Sequence, residues 1–261
     1  MRYYLFLLVF LASSTLLFSQ NNEIKDSLQT LQEEKLDYQS KKNMVKLSLT
    51  SLAFRNFQFQ YERALNKTFS LALSYSFIPN GDLPMKGLVE KYADDPELNN
   101  TLDGVAVAYS SFTPEVRIYL GEGYGKGFYL APFFRTSKYT IENLDIDYEL
   151  DSGNTTSLAT GGSIKTNTFG LLLGAQFNIG KSIVLDWWIM GPHYGSSNGS
   201  IEGISPQPLS EMEQQVLLNE LEDIDIPLTE TKSEVSANGA KIKIDGPWGG
   251  IKAGVSIGYR F

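Results

Sequence analysis

From residue 44 to residue 261 the chain returns repeatedly to one pattern, an apolar or aromatic residue followed by a small or polar one. Phe69, Leu71, Leu73, Tyr75 and Phe77 alternate with Ser70, Ala72, Ser74 and Ser76. Ile251, Ala253, Val255, Ile257, Tyr259 and Phe261 alternate with Lys252, Gly254, Ser256, Gly258 and Arg260. A period of two puts the two sets on opposite faces of a β-strand, a partition that no helix can hold. The pattern recurs near 44–50, 57–62, 69–77, 111–120, 128–136, 169–177, 183–189 and 251–261, which predicts eight strands. At about ten residues each, they match the length of a tilted strand crossing a hydrocarbon layer.

Which face carries which chemistry separates a soluble barrel from a membrane barrel. The apolar face holds Phe57, Phe59, Tyr61, Phe69, Tyr75, Phe77, Phe128, Phe134, Phe169, Trp187, Tyr259 and Phe261. That is more bulk than the interior of an eight-stranded barrel can take. The other face is Ser, Gly, Gln and charge, which suits a narrow hydrogen-bonded lumen, and closure leaves no strand edge unsatisfied in lipid. The expected fold is all-β: an eight-stranded antiparallel up-and-down transmembrane β-barrel with long external loops, one containing a short helix. Connector lengths agree. Those at 53–56, 65–67, 121–127 and 178–181 are short, whereas 79–107, 141–166 and 191–247 are long. Apart from the first, the short ones fall on one side and the long ones on the other, as in barrels with short periplasmic turns and long external loops.

Residues 1–20 are expected to be a signal peptide. Arg2 precedes an apolar run from Tyr3 to Ala12, Ser and Thr follow, and the run is short for a retained membrane helix. Residues 21–43 are polar and form a periplasmic tether with weak helical spacing at Ile24, Leu28, Leu31 and Leu36. The barrel domain takes 44–261. The absence of cysteine excludes a lipid-anchored N-terminal Cys, a thiol nucleophile and any thiolate metal site. The formal net charge of −8 argues against nucleic acid as a partner.

Several strings, in their order, resemble one family. They are Phe57-Gln58-Phe59-Gln60-Tyr61-Glu62-Arg63-Ala64-Leu65, Pro114 to Leu120, Gly127 to Pro132, Val184-Leu185-Asp186-Trp187-Trp188, and the stretch from Ile224 to Leu228 on to Gly246-Pro247-Trp248. Over 44–261 the chain resembles the Bacteroidota outer-membrane barrels grouped as domain of unknown function 3575, small barrels of the OmpA/OmpX kind. The resemblance implies a fold and a compartment and carries over no activity or binding residue. Gly258-Tyr259-Arg260-Phe261 looks like the terminal strand read by the outer-membrane assembly machinery.

The inward charges are Lys46, Glu62, Glu115, Arg117, Arg135, Asp186, Lys252 and Arg260. Glu115 and Asp186 have the chemistry of an acid pair in a cleft. The preferred reading is a lumen network centred on Glu62, Glu115, Arg117, Arg135, Asp186 and Arg260, in which opposite charges pair in place of an apolar core. His193, in His193-Tyr194-Gly195-Ser196-Ser197, is the only candidate base for a Ser–His–acid lipid-modifying site, and its setting reads as a loop after a strand. Gly121 to Gly127 lacks the phosphate-loop spacing and reads as a turn.

The three long connectors hold 21 of the 30 acidic residues. Beside anionic lipopolysaccharide they would be bridged by divalent cations through oxygen ligands. Candidate sites are Asp94, Asp95 and Glu97, and also Glu220, Glu222, Asp223 and Asp225, neither with EF-hand spacing. Residues 210–221 read as a helix with Ser210 as N-cap and Met212, Val216, Leu217 and Leu221 on one side, forming a lid on the mouth or a contact for a partner. Residues 240–244 read as a strand extending the wall. The expected function is non-enzymatic: envelope structure, or surface contact through the loops. A lipid-modifying enzyme and a narrow gated channel are the rivals. The expected partners are outer-membrane lipid and lipopolysaccharide, the assembly machinery and divalent cations. No cofactor is expected, and the chain is expected to be a monomer.

Overall fold

Among the described residues, nine antiparallel strands carry the alternating segments: β1 (Asn43–Ser48), β2 (Phe57–Ala64), β3 (Phe69–Asp82), β4 (Ala106–Tyr119), β5 (Gly127–Glu149), β6 (Thr155–Ile179), β7 (Ile183–Ile204), β8 (Glu230–Ser236) and β9 (Gly239–Arg260). The structure, a computed structural model, describes residues 40–84, 86–87, 104–121, 123–149, 155–205, 207–222 and 230–261. The expected leader and nearly all of the tether lie outside the described residues.

Each of β1 to β7 pairs with the next, except that β7 is followed around the sheet by β9. β9 pairs with β7 on one side and returns to β1 on the other, from Met44↔Arg260 to Ser48↔Ser256. Eight strands, β1–β7 and β9, therefore close a ring. β8 stands outside the ring as a hairpin partner for the upper part of β9, from Ser236↔Gly239 to Glu230↔Asp245.

The faces sort as the alternation requires. β2 reads exposed–buried without a break, with Phe57, Phe59 and Tyr61 outward and Gln58, Gln60 and Glu62 inward. The outward set continues around the ring through Phe128, Phe169, Trp187 and Tyr259, and Phe169 is 70% exposed. Large apolar groups facing out and polar groups buried within is the inverse of a soluble barrel and the arrangement of a membrane one. The upper edge of the apolar band is marked by Phe57 opposite Phe77 and by Phe134 opposite Phe169, itself opposite Tyr194, with Phe112 between the two sets opposite Tyr75.

Three parts depart from the sequence reading. The first strand does not run on through Leu49. Ser48 caps a short helix, α1 (Leu49–Ala53), accepting the Ser51 N–H at 3.3 Å, and Thr50 Oγ1 accepts the Val255 N–H at 3.3 Å. A hydroxyl offered to local N–H groups at the strand end competes with the ladder. The stretches 141–166 and 191–247, expected as long loops, are largely strand, because β5, β6, β7 and β9 rise 22–25 residues each. Ladder pairing among Ser, Thr and Gly satisfies the backbone there without apolar side chains, so the alternation that marks a buried strand is missing. His193 accordingly lies in β7, opposite Gly250 of β9, and not in a loop.

The wall is thus low at β1 and β2 and high at β5, β6, β7 and β9. On the inner side of the high wall lies α2 (Glu211–Glu222). Ser210 and Glu213 form a reciprocal cap: the Glu213 N–H donates to Ser210 Oγ at 3.2 Å, and the Ser210 N–H to the Glu213 carboxylate at 2.9 Å. Leu217 and Leu221 are buried with Leu158, Leu209, Ala240, Ile242 and Ile244. Met212, expected on that side, is instead 67% exposed.

Candidate functional site

Lumen-facing parity brings polar side chains from around the ring to one level. Lys46 of β1 donates to Glu62 of β2 at 2.5 Å and to Asp186 of β7 at 2.8 Å, and also to Gln176 of β6. Arg117 of β4 reaches three carboxylates: Asp186 at 2.7 Å, Glu62 at 2.9 Å and Glu115 at 3.1 Å. Lys252 of β9 pairs with Glu115. Three cations thus face three carboxylates, and five of the six side chains are 0% exposed. A buried carboxylate with one partner removed is costly, whereas these are bridged from several sides.

Neutral donors complete the shell. Tyr119 O–H and Ser70 O–H donate to Glu62 at 2.7 and 2.6 Å, Tyr129 O–H to Asp186 at 2.7 Å, and Trp188 Nε1–H to Asp186 at 3.2 Å. Arg117 lies 4.5 Å over the Tyr129 ring, and Lys252 4.5 Å over Trp188. The two tyrosines and Trp188 belong to a buried cluster with Ala131, Phe133 and Leu172. Sequence reasoning assigned large aromatics to the lipid face and missed Tyr129 and Trp188 as lumen residues. The available signal was their parity together with the glycines across from them. A Cβ at Gly174 would fall 2.3 Å from the Tyr129 ring, and one at Gly170 2.5 Å from Phe133.

Of the six residues expected to form the network, Glu62, Glu115, Arg117 and Asp186 meet. Arg135 sits higher, donating to Thr113 at 3.2 Å and lying 5.7 Å over Phe133. Arg260 sits at the lower end and donates to the Tyr124 carbonyl in the 121–127 turn. That turn is drawn in beneath the lumen. Tyr124 and Gly125 have positive φ of 51° and 77°, and Gln176 donates to the Gly125 carbonyl.

Aromatic groups cross the upper mouth. Tyr109 of β4 meets Tyr139 of β5 at 4.9 Å with the rings tilted by 45°, and Tyr139 in turn meets Trp248 of β9 at 5.3 Å, three strand steps around the ring. Beside this bridge, on the low-wall side, an apolar recess of about 360 Å³ is lined by Ile78, Val107, Tyr109, Tyr139 and Ile141, with Asn56 at its edge.

His193 points into the lumen against Phe133, ring centres 6.0 Å apart. Its buried Nδ1 has no hydrogen-bond partner among the described residues, so none of their carboxylates orients the ring as a Ser–His–acid site requires. Asp94, Asp95, Glu97, Asp223 and Asp225 lie outside the described residues. Among the described residues no group of three His, Cys, Asp or Glu is placed to hold a metal ion.

No protein-family model matches the chain, and no curated protein matches it. Solved structures similar to it are barrels. A major outer membrane protein from Thermus thermophilus aligns over 85% of this chain and 98% of its own, at 12% identity and TM-score 0.37. The outer membrane protease OmpT from Escherichia coli aligns over 84% of this chain and 92% of its own, at 10% identity and TM-score 0.38. CarO2 from Acinetobacter baumannii aligns over 80% of this chain and 98% of its own, at 13% identity and TM-score 0.32.

Proposed function

We propose that this chain is an exported outer-membrane barrel of the Bacteroidota family it resembles, closed to passage, non-enzymatic, and acting through the wall it raises above the outer leaflet. The observation that carries the reading is the filled lumen. Lys46, Glu62, Glu115, Arg117, Asp186 and Lys252 bridge the tube with their charged groups buried. An eight-stranded barrel is just wide enough for its own side chains, and here those side chains are locked to one another. Conduction would require breaking several buried ion pairs at once.

The high wall then faces outward and the 65–67, 121–127 and 178–181 turns face the periplasm. The chain works as a monomer. Lipid and lipopolysaccharide surround it, the assembly machinery reads Gly258 to Phe261, and divalent cations bridge its acidic loops. No resident cofactor takes part. What distinguishes this protein from a bare membrane staple is the high wall itself, stiffened from within by α2 and open to contact on its outer face.

Planar-bilayer recording tests the closure. The purified chain gives no single-channel steps, and neither does a variant lacking residues 205–230, because the block lies below α2. Steady conductance in either would establish the channel alternative. His193→Ala leaves lipid A acylation unchanged in cells; a changed acylation pattern would establish the enzyme alternative.

A further inference from the structure

Two lysine pairs on the outer surface of the wall are placed against electrostatic expectation. Lys138 of β5 is directly opposite Lys165 of β6, and Lys232 of β8 directly opposite Lys243 of β9. All four side chains are exposed. Like charges directly opposite across an antiparallel pair destabilise it. The chain is acidic, with a net charge of −8, so carboxylates are abundant for pairing. Lys243 uses one, Glu234, at 2.5 Å. Among the described residues Lys138, Lys165 and Lys232 have no ion-pair partner.

Register fixes their height. Lys138 lies four residues past Phe134 on its strand, and Lys165 four residues before Phe169 on the strand beside it; Phe134 and Phe169 are themselves paired at the band edge. At about 3.3 Å per residue and a tilt near 40°, the backbone of the pair stands about 10 Å above the apolar band, just beyond a head-group layer of about 5–7 Å that the long lysine side chains reach by leaning back toward the band. The same outward row continues through Asn198 to Asp245. Above it Lys232, Lys241 and Lys243 line a groove of about 390 Å³ together with Asn198, Ser200 and Asp245. Lys241 and Lys243 are tied to Glu202 and Glu234, which leaves Lys232 as the groove's unpaired cation among the described residues. Single lysines at a membrane edge are ordinary snorkelling residues. Two directly opposed pairs on one side of one barrel, in which only Lys243 of the four lysines has an ion-pair partner among the described residues, call for anions beyond that one carboxylate.

We infer that this outer face, with Lys138 and Lys165 as its foot and the Lys232 groove above, binds the phosphate groups of an anionic glycolipid of the outer leaflet. The phosphates sit between opposed ammonium groups and relieve their repulsion. The inference deepens the reading above and rests on its orientation, in which the high wall is outside. It makes contact with the leaflet direct on this side of the wall, in place of the cation bridging expected of the acidic loops.

The test uses the full chain in detergent micelles, titrated with lipid A bearing two phosphates and with the same lipid dephosphorylated. The wild type prefers the phosphorylated lipid, and the preference weakens as salt rises. Neutralising a lysine at a lipid surface lowers affinity about fivefold, so Lys138→Gln with Lys165→Gln lowers it about thirtyfold. A charge-matched control at the opposite end, Lys67→Gln with Lys181→Gln, leaves it unchanged. Equal binding by the double variant, or an equal fall in the control, overturns the proposal. Displacement of the lipid by millimolar inorganic phosphate overturns the assignment to a lipid and leaves a free-anion site. Orientation is read separately. The chain has no cysteine, so Ala237→Cys in the β8–β9 hairpin is a unique label site. Its reaction with an impermeant maleimide on intact cells supports the orientation whatever the lipid result. Reaction only after the cells are broken overturns the orientation, and the proposal with it.

Discussion

Arg117 is the residue on which the lumen depends most. Its guanidinium contacts Glu62, Glu115 and Asp186, which come from three different strands, and stacks on Tyr129. Arg117→Met keeps much of the volume and leaves three carboxylates to share Lys46 and Lys252. Removing one partner from a buried pair costs about 3–5 kcal/mol, and this substitution falls at the upper end. Denaturant unfolding in micelles measures the loss. Gly174 tests the complementary constraint of space. Gly174→Ala places a methyl 2.3 Å from the Tyr129 ring, and the ring cannot withdraw without releasing Asp186. Overpacking of this kind costs about 1–3 kcal/mol. The inward parity of Glu62, Glu115, Arg117 and Asp186 was legible in the sequence because alternation alone fixes which face a strand residue takes. Their partners were not legible. Which carboxylate meets which cation depends on barrel stagger, and no single strand records that. Tyr129 and Trp188 had no role in the sequence reading for a related reason: an aromatic ring suits lipid and a narrow lumen equally well, and the facing glycines help tell the two apart.

At the scale of the element, prediction succeeded where a segment carries its own physical signature. α2 had a cap, acidic residues in its first turn and an apolar side, and the structure places it at Glu211–Glu222 against an expected 210–221. Ser210→Ala removes the hydroxyl that accepts the Glu213 N–H and costs about 1 kcal/mol of local stability. Faster amide exchange confined to the first turn of α2 is the expected sign. The raised strands had no such signature, because above the apolar band neither face is buried in lipid and the Ser, Thr and Gly of β6 and β7 do not alternate. Exposed ion pairs there contribute little and respond to pH. The hydrogen bond from Lys241 holds the Glu202 carboxyl below its ordinary value of 4.5, and that from Lys243 does the same for Glu234. A depressed carboxyl stabilises the folded form above the unfolded value and loses that effect as pH falls through the folded one. The β8–β9 hairpin is therefore expected to loosen as pH drops below about 4.5, measured by proteolysis at its tip, while the ring is unchanged.

Taken as a whole, the molecule has two cores of opposite chemistry stacked along one set of strands. The ring encloses charge and hydroxyl; the raised wall encloses Leu158, Leu217, Leu221, Ile242 and Ile244. They share the backbones of β5, β6, β7 and β9 and no cluster of side chains. Sites that far apart with no common partner contribute to stability independently. The ring is also closed on itself, whereas the wall is a sheet with α2 against its inner side that, among the described strands, does not close. The two parts are therefore expected to open at different free energies, the wall first. Leu217→Ala, which empties a fully buried site, lowers the first transition by about 2–5 kcal/mol and leaves the second in place. Arg117→Met does the reverse. Hydrogen exchange followed by strand, with the lower and upper halves of β9 as internal comparison, resolves the two. A single cooperative loss across all of β9 in both variants would show that the wall and the ring are one unit. The wall could then not act as a surface module carried by a rigid barrel. Separate transitions fit that division of labour, in which a locked ring holds position in the membrane and a less stable wall adjusts to what it touches outside.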